Sequence, residues 1–377
     1  MKLLTLRAKS YRSLRDMEIA LTDLNVFIGA NASGKSSILD ALRFLSEGVR
    51  ARDFRPPAFA RGGVLHLAWK GEDAVRIELA ILLEHEGRRY EWSLCLVRTG
   101  YDFYVTEHVD ELREGSPPVG LLKADKGEGW WWSGEEGQVE LKQEPTACAL
   151  ASAAADASFP ARDVAGFIGR WGFFDPNPFL LRRDWSGMES SRFDHYGRNL
   201  GETLYATSES SPAAFERIVE ATRTILGLPS KVEPRKSEEG RFYFAQREPG
   251  LQFPVHQMGV SSGTLRMLAL MTALFAESDT NLIGIEEPEN YVHPTALSSF
   301  VEYLLNAQGR IQFMVTTHSP LLLDFLNRPE AVRIVQHGEE KGTTVIAGDD
   351  PHGVRRALEK SGFGLGEFYE TKGFGSR

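Results

Sequence analysis

Apolar and polar residues alternate along 64–70, 74–83, 89–98 and 101–109. Side chains of a strand point to opposite faces in turn, so this period of two predicts β-strands with one buried face. The breaks at Gly71-Glu72-Asp73 and Glu86-Gly87-Arg88 predict an antiparallel meander. The stretch 110–145 is rich in glycine and acidic side chains and predicts an exposed loop or hairpin. Helical spacing returns around 161–170, 198–207 and 212–226, and 231–256 again reads as strand. From 262 the pattern runs helix, strand, helix, strand, helix, strand, which implies a parallel α/β sheet. Neither an internal repeat nor a heptad run is visible.

Near the start, the short apolar run Asn25-Val26-Phe27-Ile28 is followed by Gly29-Ala30-Asn31-Ala32-Ser33-Gly34-Lys35-Ser36, and then by Ile38, Leu42 and Leu45 at helical spacing. Strand, glycine-rich turn and helix are the context a phosphate-binding P-loop needs. Gly29, Asn31, Ala32, Ser33, Gly34 and Ser37 would shape a cradle of backbone N–H groups. Lys35 would neutralise phosphate charge, and the Ser36 hydroxyl would ligate Mg²⁺. The helix start adds its own positive end to an anion site.

Three later segments extend this chemistry. The apolar run Asn281-Leu282-Ile283-Gly284-Ile285 ends in Glu286-Glu287, which places paired carboxylates at the C-terminal edge of a parallel sheet, where open α/β folds bind ligands. Two adjacent acids can divide labour, Glu286 holding the Mg²⁺ shell and Glu287 polarising the attacking water. A solvated acidic turn is the competing reading, disfavoured by the P-loop. In the same way Phe313-Met314-Val315-Thr316-Thr317 delivers His318 to a strand end, where a neutral imidazole could sense a γ-phosphate or orient the water. Val260-Ser261-Ser262-Gly263-Thr264 opens an apolar helix, as a second anion site or as a simple N-cap.

Composition narrows the class without naming the job. The 377 residues are 42% hydrophobic and 25% charged, as in an ordinary globular protein of one elaborate domain or two. No apolar run is long enough to span a membrane, and Met1-Lys2 leads into a strand-like segment rather than a signal peptide, so the expected location is the cytoplasm. Cys95 and Cys148 form no CxxC or Cys/His cluster, which argues against a disulfide framework or structural zinc. A net charge of −9 disfavours a wholly basic nucleic-acid-coating surface. Arg43, Arg50, Arg52, Arg55 and Arg61, on or after the P-loop helix, form either a phosphate-backbone contact or an ion-paired face. Trp130-Trp131-Trp132 lies among acidic residues, which favours a packed hairpin or a protein contact over base stacking.

Taken in order, these segments resemble the ATP-binding-cassette (ABC) type ATPase heads of the SMC, RecF and OLD superfamily, and most of all the stand-alone bacterial ATPases with an OLD-type ATPase domain. Gly29 to Ser36 resembles Walker A, and Glu286-Glu287 resembles Walker B with Glu where many members have Asp. Ser261 to Arg266 is similar to the signature segment, with Ser262 where many carry Asp, and His318 matches the switch histidine. Pro288 to Pro294, with His293, resembles the D-loop region. Gly197-Arg198-Asn199-Leu200 and Gly373-Phe374-Gly375 are weaker likenesses. Tyr11-Arg12-Ser13-Leu14 resembles an element that implies Arg12 lies near the nucleotide.

The resemblance implies an α/β P-loop NTPase of ABC type, with a mixed or parallel sheet, an antiparallel β lobe and a helical lobe. Its single domain would divide into 1–110 with the P-loop and antiparallel strands, 111–260 as an inserted loop and helical region, and 261–377 with the signature, Walker B and switch histidine. It further implies an ATPase in which two copies sandwich ATP head to tail, Ser261 and Gly263 acting in trans, as an ATP-gated switch in DNA repair or phage defence. DNA and a separate effector protein are the candidate partners, and a weakly hydrolysing ATP sensor that restrains such an effector is the alternative. The chain departs from the pattern in three ways. No Q-loop glutamine stands out among Gln246, Gln252 and Gln257, the long coiled coil of SMC proteins is missing, and the stretch after His318 is too short for the Toprim domain of OLD nucleases, so nuclease activity is not expected.

Overall fold

The computed structural model describes residues 1–70, 76–134, 137–183, 192–347 and 364–370. In chain order the elements begin with β1 (Lys2–Tyr11), β2 (Leu14–Ala20), β3 (Leu24–Ile28), α1 (Lys35–Ala51), α2 (Arg55–Phe59), α3 (Val64–Leu67), β4 (Arg76–His85), β5 (Arg88–Thr99) and β6 (Asp102–Leu112). They continue with β7 (Val119–Asp125), β8 (Glu128–Ser133), β9 (Gly137–Lys142), α4 (Ala149–Ala153), α5 (Arg162–Gly169), β10 (Gly172–Phe174), α6 (Pro178–Leu181), α7 (Leu200–Ser210) and α8 (Pro212–Leu226). The last are β11 (Lys231–Lys236), β12 (Phe242–Arg247), β13 (Val255–His256), α9 (Ser262–Phe275), β14 (Leu282–Glu286), α10 (Pro294–Ala307), β15 (Gln312–Thr316), α11 (Pro320–Leu326), β16 (Val332–Gly338), β17 (Gly342–Ala347) and α12 (Leu365–Glu370).

The chain forms two compact units whose limits run across the expected boundaries at 110 and 260. One holds Met1–Trp171 with the β16–β17 hairpin, and the other holds Gly172–Arg328 with α12.

In the first unit, β2-β1-β4-β5-β6-β7-β8-β9 form an antiparallel sheet. Its alternation buries Leu79, Ile81 and Leu83 of β4 and Trp92, Leu94 and Leu96 of β5 on one face. The rings of Tyr11, Phe44, Phe54 and Trp92 follow one another at 5.9, 5.6 and 6.4 Å and connect the P-loop helix α1 to that face. Two expectations need correction. Residues 64–67 form a short helix rather than a strand, because Gly63, at φ 92°, turns the chain and Val64 and Leu67 bury at helical i, i+3 spacing. The acidic stretch 110–145 carries three strands, β7 to β9, with glycines at positive φ, Gly115, Gly127 and Gly137, beside or between them. Trp131 of β8 is buried edge-on against Phe159, while Trp132 is exposed. Beside this sheet's chain, β3 pairs parallel with β16, which pairs antiparallel with β17.

In the second unit, β10, β14 and β15 run parallel. The antiparallel trio β11-β12-β13 stands apart from them in the sheet order. Helix α9 is apolar nearly all round, with Thr264 through Leu274 buried, as expected of a helix enclosed by its neighbours. The helical and strand expectations for 161–170, 198–207, 212–226, 231–256 and the segment from 262 all correspond to observed elements.

Candidate functional site

The phosphate loop is shaped by backbone conformations that few side chains tolerate. Gly29 has φ 152°, Ala32 φ 62° and Gly34 φ 108°, and Gly34 is the residue from which α1 departs. A Cβ at Gly34 would fall on the hydroxyls of Thr343 and Ser13, so glycine is required for space as well as for φ. Lys35 is buried, and its Nζ donates to the carbonyl oxygens of Gly29 at 3.0 Å and Ala30 at 3.1 Å, which keeps the ammonium inside the loop. Asn31, Ala32 and Ser36 are exposed, Ser33 is buried, and Ser37 is half-buried. The Ser13 hydroxyl lies 2.9 Å from Ser37 Oγ and accepts from Thr343 Oγ1 at 2.9 Å, while Thr343 Oγ1 lies 2.8 Å from the Ser33 carbonyl. A β17 residue thus braces a loop more than three hundred positions earlier in the chain.

Behind the loop, Asp40 of α1 gathers four partners. Tyr11 donates its hydroxyl at 2.6 Å, Arg12 Nε lies 3.1 Å away, Arg43 2.8 Å, and Arg61 3.0 Å. Arg61 also pairs with Glu47 and lies over the Phe44 ring. Burial pulls the Asp40 carboxyl upward, but Arg61, with Arg12 and Arg43, more than offsets it and holds it below the usual range. Burial, followed by the charge of Asp40, raises the Tyr11 phenol well above its ordinary value. Arg43 and Arg61 are therefore ion-paired, as the competing reading of the arginine run supposed. Exposed Arg55 faces Asp102 at 3.4 Å.

Arg12 itself has φ 49° and contacts Asp40. It lines a cavity of about 520 Å³ with Ser13, His66, Ala68, Trp69, Lys70 and Glu339. Because Ser13 also touches Ser37, this cavity adjoins the first turn of α1.

The second unit carries the paired carboxylates. Strand β14 ends at Glu286, and Glu287 turns into the left-handed region at φ 44°. Its N–H donates to the Thr316 carbonyl at 2.9 Å, and Asn290 Nδ2 donates to its Oε2 at 2.7 Å. His318 Nε2 lies 3.8 Å from Glu287 Oε1, so the sequence-predicted base and switch histidine do meet. Both side chains are partly open, 39% and 32% exposed. Glu289 takes the hydroxyl of Thr317 and the backbone N–H of His318, each at 2.8 Å, and so fixes the loop that carries the imidazole.

Ser261 caps α9, its Oγ accepting from Thr264 N at 3.2 Å. Gly263 lies close to Tyr291, where a Cβ would come within 2.7 Å of the carbonyl oxygen. His293 caps α10 through Thr295. Gln257 is buried with its Oε1 bonded to Phe244 N, Gln246 is buried on β12, and Gln252 is exposed. Asn199, of the weaker likeness, binds the Arg192 carbonyl, whereas Gly373, Phe374 and Gly375 fall outside the described residues. Among the described residues no group of three or more His, Cys, Asp or Glu could hold a metal ion. The hydroxyl of Ser36 and the carboxylate of Glu286 are hard oxygen donors of the kind Mg²⁺ takes when substrate phosphates complete its shell.

Asn290, Glu289, Asp40 and Thr343 were not singled out from sequence. The first two sit within three residues of Glu287 and could have been suspected from that spacing; nothing in the sequence points to Thr343.

Residues 177–324 match a family model described as "AAA domain, putative AbiEii toxin, Type IV TA system", and residues 1–87 match an "AAA ATPase domain". The OLD nuclease of Thermus scotoductus is 22% identical over 392 aligned positions, which cover 90% of this chain and 63% of that protein. The DNA replication and repair protein RecF of Chlamydia caviae is 45% identical over 56 residues, 15% of this chain and 14% of its own. The chain thus spans less than two thirds of these relatives. Among solved structures, an Smc head bound to the C-terminal winged-helix domain of ScpA is similar with a TM-score of 0.59 at 14% identity, covering 92% of this chain and 97% of that one. An Smc head with an extended coiled coil, bound to the C-terminal domain of ScpA derived from Pyrococcus furiosus, gives a TM-score of 0.56 at 13% identity, with 96% and 99% covered. At such identities the likeness establishes the fold, an α/β P-loop fold of the ABC-type ATPase head.

Proposed function

We propose that the chain is an ATPase of the ABC, SMC and OLD type, working as an Mg²⁺-dependent, ATP-gated switch that closes as a head-to-tail homodimer. The observation that carries this reading is the braced phosphate loop. Gly34 at positive φ opens a 17-residue helix, Lys35 is held inward, and two hydroxyls from distant segments, Ser13 and Thr343, fix the loop's outline. Such a loop presents N–H groups and one cation to a chain of phosphates. The adjoining cavity takes the base and ribose, with Trp69 as an apolar face and Arg12 at the rim.

Lys35 neutralises phosphate charge, while the Ser36 hydroxyl and the Glu286 carboxylate would hold Mg²⁺, which when bound draws charge from the phosphate oxygens. Glu287 accepts the proton of the attacking water. Asn290 fixes one of its carboxylate oxygens, and the other is on the His318 side, where the imidazole orients the water or senses the γ-phosphate. Phosphoryl transfer depends mainly on positioning and charge, so a single copy turns over slowly until Ser261 and Gly263 of a second copy complete the site. The resemblance of 261–266 to the signature segment supports this closure. The name of the RecF relative, a DNA replication and repair protein, supports a role in DNA repair; phage defence, and DNA or a separate effector protein as the partner, rest on the resemblance of the motifs alone.

Phosphate release measured with and without DNA, at protein concentrations spanning dimer formation, tests the proposal. Turnover that rises more than in proportion to protein concentration is expected. ATP binding without turnover would favour an ATP sensor that restrains an effector, and failure to bind nucleotide would end the reading altogether.

A further inference from the structure

Arg266 lies in the opening turns of α9 and is only 2% exposed. A buried guanidinium ordinarily has a carboxylate at close range, because an uncompensated charge in the interior is costly. This one spends most of its donors on main-chain carbonyls and meets a single, half-open carboxylate. It donates to the carbonyl oxygens of Glu286 and Glu287, both at 2.8 Å, and to that of Pro176. The nearest carboxylate oxygen described for it is Asp175 Oδ1 at 3.3 Å, on a side chain 40% exposed.

The two glutamate carbonyls flank the point where the chain leaves β14 and enters the left-handed conformation at Glu287. A non-glycine residue holds that conformation only where its surroundings over-determine it. Thr316, through its carbonyl, fixes the N–H side of the turn, and Arg266 fixes the carbonyl side. The same side chain belongs to the helix whose start carries Ser261 and Gly263.

We propose that Arg266 is a positioning residue that makes the start of α9 and the Glu286–Glu287 turn move together, so that a second copy closing on Ser261 and Gly263 resets the aim of the Glu287 carboxylate. This rests on the reading of Glu287 as the base and of the α9 start as the surface that meets the partner. It assigns the carboxylates' alignment to a residue that grips their backbone carbonyls rather than their side chains.

Arg266→Lys in the full chain keeps the charge, but one ammonium cannot reproduce a fork spread over three carbonyls. The expected result is a fall in kcat of about tenfold or more with KM changed less than about threefold, and with ATP-dependent dimerisation retained in a Glu287→Gln background. Combined with Ser261→Ala, the two losses are expected to overlap rather than multiply. Asp175→Asn loosens the guanidinium while leaving its carbonyl contacts, and is expected to lower kcat about twofold to threefold with KM unchanged. It decides the matter if the lysine variant does not fold. Wild-type kcat in the folded variants overturns the proposal. Full multiplication with Ser261→Ala does so too, as does parallel loss of kcat, ATP affinity and dimer. Wild-type protein that binds ATP without turnover would instead sink the reading of Glu287, and the inference would fall with it.

Discussion

Around the phosphate loop Arg61 and Asp40 are buried and paired, whereas at the carboxylate turn Glu287 and His318 stand partly in solvent on a backbone that the buried Arg266 holds from behind. Arg61 and Asp40, 3% and 5% exposed, belong to a closed ion cluster that fixes α1 against its neighbours. Glu287 and His318 meet at 3.8 Å, with the Asn290 amide on the Glu287 carboxylate and the Glu289 carboxylate on the His318 N–H. The first arrangement suits a rigid cradle, since each member of a buried ion cluster depends on the others. The second suits groups that must re-aim when a substrate and a partner arrive, because carboxylate and imidazole keep their freedom while the backbone is fixed.

The largest expected contrast comes from exchanging function between the two regions. Glu287→Gln should lower phosphate release about 10²-fold to 10⁴-fold, the range for a lost general base, while nucleotide binding measured by calorimetry stays intact. Lys35→Met should lose both. Equal loss of binding in the two variants would break the comparison. Next in size, Asp40→Ala leaves Arg61 buried without its main partner and is expected to destabilise the protein by about 3–5 kcal/mol in denaturant unfolding. Asn290→Ala, at the open turn, should cost much less stability and act mainly on kcat.

A third test uses Glu107, a carboxyl fully buried in the phosphate-loop unit. Burial raises it to about 7, against the opposing hydrogen bonds from Ala149 N, Leu150 N, Trp92 Nε1 and Cys148 Sγ. Its folded value lies above the ordinary 4.5, so the folded state holds the proton more tightly than the unfolded chain. This contribution is complete below about pH 4.5, fades as pH rises toward 7, and amounts to on the order of 3 kcal/mol. Glu107→Leu should flatten that part of the stability profile, and an unchanged profile would remove Glu107 as its source. The smallest effect is expected from Arg55→Ala. Its exposed pair with Asp102 should be worth under about 0.5 kcal/mol, and a larger loss would mean that surface charges matter here as buried ones do.

Legibility followed the range of the interaction that decides each feature. The strand-to-turn contexts of residues 29–36, Glu286-Glu287 and His318 were readable because each is a local pattern, and β4, β5 and β6 were readable from alternation. Residues 64–67 misled because four alternating residues satisfy both a strand and a single helical turn once Gly63 redirects the chain. The strands β7 to β9 were hidden by acids and glycines. The brace from Thr343 was beyond reach, since nothing at a distance of three hundred residues signals a hydroxyl contact. The helix bearing Arg266 was evident from its apolar run, but not what the guanidinium grips. Charge alone could not decide the arginine run either; geometry assigns Arg43 and Arg61 to Asp40.

In the proposed switch, ATP joins two copies of this chain through the α9 start of one and the phosphate loop of the other. Light scattering on Glu287→Gln protein, with saturating ATP and Mg²⁺ across a concentration series, tests it most directly. The expected result is a stable dimer that retains two ATP molecules and that Ser261→Arg abolishes without weakening ATP binding to the monomer. A monomer at every concentration, or a dimer indifferent to ATP and to Ser261, would contradict it.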